Sequence, residues 1–121
     1  MAKPKSKPSV RQLEKLMAEK SAVLSKAQVW TTIGLRETAQ ALWAHAASYE
    51  ERIAALHDAH GDDLEAAVHR ISAASCYQKA GDPSRATNLY RAALAGPLRA
   101  VTRKEVEKML AECLALLTNS A

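Results

Sequence analysis

Between Ala74 and Pro97 the chain carries small and large residues at intervals that suit one arrangement above others: two short helices folded back on each other across a tight turn. Ala74 and Ala86 let two helix backbones approach closely, and Tyr77 and Tyr90 fill the space beside them with large, partly polar rings. Gly81 supplies the left-handed residue that stops the first helix. Asp82 then caps the second, and Pro83 sits in its first turn, where a missing N–H costs nothing.

The order of these residues resembles a tetratricopeptide repeat. A small residue (Ala74) is followed three later by an aromatic one (Tyr77), then a turn Gly (Gly81), an Ala in the second helix (Ala86), an aromatic (Tyr90), Ala93 with Leu94, and a closing Pro97. Arg70 stands where that family often carries Trp. A shorter echo, Ala46-Ala47-Ser48-Tyr49, returns as Ala73-Ala74-Ser75-Cys76-Tyr77, with the two tyrosines 28 residues apart against the family's period of about 34. The resemblance implies an all-α antiparallel array, a TPR-like α-α superhelix, over residues 9–121. It also implies a non-enzymatic adaptor or scaffold that binds another protein on the concave face made by the first helix of each pair. The polar positions beside the small-residue seam are the candidate contacts: Arg70, Gln78, Lys79, His45 and Arg52. Their cations suit an acidic segment or a carboxylate terminus.

Composition agrees with helices. At 121 residues, rich in Ala, Leu, Glu, Lys and Arg and without Phe, the chain supports one domain whose core is closely packed Ala and Leu. Residues 1–8, with Lys3, Lys5 and Lys7 between Pro4 and Pro8, read as a disordered basic tail. The pattern then predicts about five helices. The first opens at Ser9 with Gln12 as capping-box partner and carries Val10, Leu13, Met17, Leu24 and Ala27 on one side, with Arg11, Glu14, Lys15, Glu19 and Lys20 in solvent. A break falls within Val29–Gly34, where residues are β-branched, aromatic or flexible. The second helix runs from about Thr32 or Leu35 to His60, with Leu35, Ala39, Leu42, Ala46, Tyr49, Ile53 and Leu56 in register. Gly61 stops it, and Asp62 with Glu65 caps a third that ends at Gly81. The fourth spans about Pro83 to Ala95. The last opens on Thr102 and Glu105 and runs to about Thr118.

Chemistry is sparse. No nucleophile motif, phosphate-binding loop or paired-carboxylate arrangement is present, which argues against an enzyme. His57, Asp58, His60, Asp62 and Asp63 cluster at a helix end and could hold zinc, but the helix dipole accounts for the histidines and capping for Asp62, so no metal or other cofactor is assigned. His45 and His69 lack a sequence-local partner. Cys76 and Cys113 fall on apolar helix faces as small buried hydrophobes, which fits a reducing, cytoplasmic compartment. No apolar run reaches membrane-spanning length, so no membrane insertion is expected.

Two other functions compete with the adaptor. Trp30, beside Val29 and Ile33, offers an apolar edge for docking a partner, and the open end of a short array would let the protein self-associate as a structural subunit or homo-oligomer. The formal charge of +4 raises nucleic-acid binding as a third. Acidic residues interrupt any basic stripe, however, and aromatic-basic interleaving is lacking, which places it last.

Overall fold

The computed structural model describes residues 10–119, so the basic tail and the Ser9 cap lie outside the described residues. Five α-helices follow one another: α1 (Val10–Thr32), α2 (Arg36–Ala59), α3 (Asp63–Lys79), α4 (Pro83–Leu94) and α5 (Ala100–Asn119). No strand occurs among the described residues. Each helix packs against the next in the chain, which makes an all-α antiparallel array.

The first three turns are built alike. Gly34, Gly61 and Gly81 have φ of +85°, +77° and +79°, the left-handed conformation that glycine adopts without a Cβ clash. At each, the N–H following the glycine donates to the carbonyl five residues back: Leu35 to Trp30 (3.0 Å), Asp62 to His57 (2.9 Å) and Asp82 to Tyr77 (2.9 Å). The glycine N–H donates three back, and carbonyls that the helix would leave orphaned are satisfied. The fourth turn differs. Arg103 reaches from α5 to donate to the carbonyls of Leu94 (2.7 Å) and Gly96 (3.0 Å), closing α4 with a guanidinium. That arrangement starts α5 at Ala100, two residues before the expected Thr102 cap, which lies inside the helix.

The break expected within Val29–Gly34 falls at the end of that run: Thr31 and Thr32 donate to the Ala27 and Gln28 carbonyls, α1 continues to Thr32, and the chain turns at Ile33 and Gly34. One further expectation is corrected. Asp62 occupies the N-cap of α3 but makes no side-chain cap bond, whereas Asp82 accepts from the Arg85 N–H as expected. Such a cap contributes about 1 kcal/mol.

The core runs along the helix seams. Ala74, Tyr77, Ala86, Tyr90 and Ala93 are buried between α3 and α4, and Val106 and Cys113 bring α5 onto them. The Tyr90 hydroxyl bonds Gln78 of α3 and lies 3.5 Å from Met109 Sδ of α5, so one ring joins three helices. On the other side of the array, Ala27, Ala39, Trp43, Ala46 and Ala47 join α1 to α2.

Candidate functional site

A groove of about 600 Å³ opens at the end of the array where α1 finishes, α2 begins and α3 finishes. It is lined by Thr31, Gly34, Arg36, Ala39, Gln40, Trp43, Gln78, Lys79 and Gly81. Trp43 anchors it. The indole N–H donates to Thr31 Oγ1 (3.0 Å), which donates to the Ala27 carbonyl (2.7 Å), while Lys79 Nζ sits 4.5 Å from the ring centroid. Gly81 belongs here for a second reason: a Cβ at this position would meet Gln40 Nε2 at 2.9 Å. Arg36 and Lys79 are exposed, no lining residue is acidic, and neither cation has an ion-pair partner among the described residues. The result is an apolar floor with an unbalanced positive rim.

The six candidate contacts do not converge. Gln78 and Lys79 line the groove, although Gln78 also takes the Tyr90 hydroxyl. Arg70 pairs with Asp58 near the opposite end of the α2–α3 hairpin. His45 and Arg52 flank Tyr49, with the His45 ring at 5.0 Å and the guanidinium at 5.4 Å from it. Tyr49 also bonds Glu19 of α1, and that bond raises its pKa. Trp30 is half-buried against the core, while its neighbours Val29 (56% exposed) and Ile33 (58% exposed) face outward. Arg36, Gln40 and Trp43 complete the groove. Their place in it depends on α2 meeting the far end of α3, a contact with no local sequence signal.

Away from the groove, a chain of ionisable groups crosses three helices. Lys20 of α1, expected in solvent, reaches Glu50 Oε1 of α2 at 3.3 Å, and the two side chains are only 11% and 5% exposed. Glu50 Oε1 also lies 3.0 Å from His69 Nδ1 of α3. Burial works to raise the Glu50 pKa. The His69 hydrogen bond and the Lys20 charge outweigh it and hold the carboxyl below its ordinary value. The His69 ring stacks near-parallel on His57 at 5.3 Å.

Of the cluster read from the sequence, only His57 and Asp62 stay together. His60 Nδ1 bonds the Leu56 carbonyl (2.7 Å), Asp58 pairs with Arg70, and Asp62 stands 3.5 Å from His57 Nδ1. Only His57 enters a different group, in which donor atoms of His57, Glu65 and His69 lie within 4.8 Å of one another. Cys76 and Cys113 are buried and unpaired with each other, and burial, then the nearby Glu50 charge, pushes the Cys76 thiol up to about 11. No described helix is long and apolar enough to cross a membrane. No family model, curated protein or solved structure matches the chain.

Proposed function

We propose that the protein is a non-enzymatic interaction module, an adaptor or scaffold whose groove takes an acidic segment or the carboxylate terminus of another protein. One observation carries this reading: a groove floored by Trp43 and Ala39 is rimmed by Arg36 and Lys79 with no carboxylate among its lining residues. An apolar side chain of the partner would cover the floor, and its carboxylate would meet the two cations. The resemblance of the Ala74–Pro97 hairpin to a tetratricopeptide repeat supports the same role, since arrays of that kind work by binding proteins.

Display of random peptides with free C-termini against the immobilised full chain tests it. Acidic or C-terminal carboxylate sequences should be enriched, and binding should be lost in Arg36→Glu/Lys79→Glu. Enrichment indifferent to peptide charge, or unchanged by that double substitution, would sink the reading.

A second reading rests on a separate observation. Val29, Ile33 and Leu35 are exposed together where α1 gives way to α2, an apolar edge suited to a second copy of the chain or a larger assembly. Self-association there would appear as a mass that rises with concentration in sedimentation and falls back in Ile33→Glu.

A further inference from the structure

We propose that His57, Glu65 and His69 bind a divalent transition-metal ion of the zinc class, pinning the last turn of α2 to the first half of α3. Their donor atoms lie within 4.8 Å of one another, one residue from α2 and two from α3. Glu65 and His69 are four apart and share one helix face. Two imidazoles and a carboxylate suit zinc and its neighbours, and three protein ligands leave a position for water or a group brought by a partner.

The surroundings support metal binding beyond the donor count. His69 Nδ1 is bonded to Glu50 Oε1 at 3.0 Å, and a neutral imidazole that donates from Nδ1 carries its lone pair on Nε2. A carboxylate behind a histidine in this way fixes the tautomer and raises ligand basicity, as it does for metal-bound imidazoles. Lys20 holds Glu50 in turn, so the supporting group is itself positioned. The buried His57 Nδ1 makes no hydrogen bond, its Asp62 neighbour standing off at 3.5 Å, and a bound ion is one way that such an atom is satisfied. Helix-dipole stabilisation explains a histidine in the last turn of α2. It does not explain why that ring stacks on a histidine from the next helix. Glu65 is exposed and gives the ion a path in from solvent.

The site lies toward the opposite end of the α2–α3 hairpin from the groove and does not depend on the adaptor reading. The untagged full chain, stripped with chelator, would be titrated with Co2+ while its visible d–d absorption is followed, then competed with Zn2+. One equivalent should bind with a nitrogen–oxygen spectrum, and the melting temperature should rise with added Zn2+. Glu65→Gln, a change at an exposed position that leaves the packing intact, should weaken binding at least about 10-fold, by analogy with the loss of supporting groups at metal sites. His69→Gln should abolish it. Absence of saturable binding, equal affinity in Glu65→Gln, or a thiolate-to-metal charge-transfer band moving the ion to a cysteine would each overturn the proposal. Should His69→Gln fail to fold, Glu65→Gln decides alone.

Discussion

The α2–α3 and α3–α4 hairpins turn on the same glycine motif but are held together differently. Between α3 and α4 the seam is Ala74, Ala86 and Ala93 with the rings of Tyr77 and Tyr90, and the tyrosine hydroxyls bond outward to Glu51 and Gln78. Between α2 and α3 an alanine seam is joined by a buried hydrogen bond from His69 to Glu50, whose ion pair with Lys20 extends it to α1. An apolar seam tolerates loss of a side chain according to the cavity left behind. An ionic one responds to whether the charges that remain still have partners. Backbone geometry therefore does not decide how such a hairpin is stabilised.

The largest effects should come from removing one member of each seam. Tyr90→Ala leaves a cavity at the meeting of α3, α4 and α5 and should cost about 3–5 kcal/mol in chemical denaturation. Glu50→Ala strands the buried Lys20 and should cost about 3–5 kcal/mol. Replacing Lys20, Glu50 and His69 together by apolar residues of similar volume should be neutral or stabilising by about 1–4 kcal/mol. A triple variant as unstable as Glu50→Ala would erase the distinction between the two seams.

Smaller changes sharpen it. Ala86→Leu should overpack the close α3–α4 contact by about 1–3 kcal/mol, since Ala86 is wholly buried there. A variant as stable as the parent would place Ala86 away from that contact. Gly81→Val should cost at least about 1–2 kcal/mol for its positive φ. At Gly34 an added Cβ meets no atom within 4 Å, so Gly34→Val should pay the backbone term alone and melt above Gly81→Val.

The pH response should separate the seams with the least perturbation. The folded Glu50 carboxyl has a lowered pKa, so its stabilisation is fully present above the ordinary value of 4.5 and is lost as pH falls through the lower folded value. The stability gap between the parent and Glu50→Gln should therefore be wide at neutral pH and close in acid. A gap constant with pH would mean that the ionised carboxylate adds nothing.

What could be read from the sequence follows from how local each determinant is. Gly61, Gly81, Asp82 and Pro83 act within a few residues of themselves, and the helix ends that they set are where the pattern places them. Gly34 makes the same motif but is preceded by Val29 to Ile33, a run of low helix propensity that Thr31, Thr32 and packing against α2 hold helical. Thr102 has the sequence of a cap, but Arg103 closes the turn from its other side. Lys20, Glu50 and His69 lie far apart in the chain, and nothing near Lys20 distinguishes it from the solvated charges around it. In the groove, Gln78 and Lys79 could be picked out from the small-residue seam, whereas Arg36 and Trp43 required the tertiary fold.

The most direct test is a two-dimensional amide NMR titration of the labelled full chain with the tightest peptide from display. If the groove is the recognition site, shifts will centre on Gly34, Gln40, the Trp43 indole N–H and the Gln78–Gly81 turn, and will be absent in Arg36→Glu/Lys79→Glu. Shifts confined to Val29, Ile33 and Leu35 that grow with protein concentration alone would contradict it and assign the molecule to self-assembly.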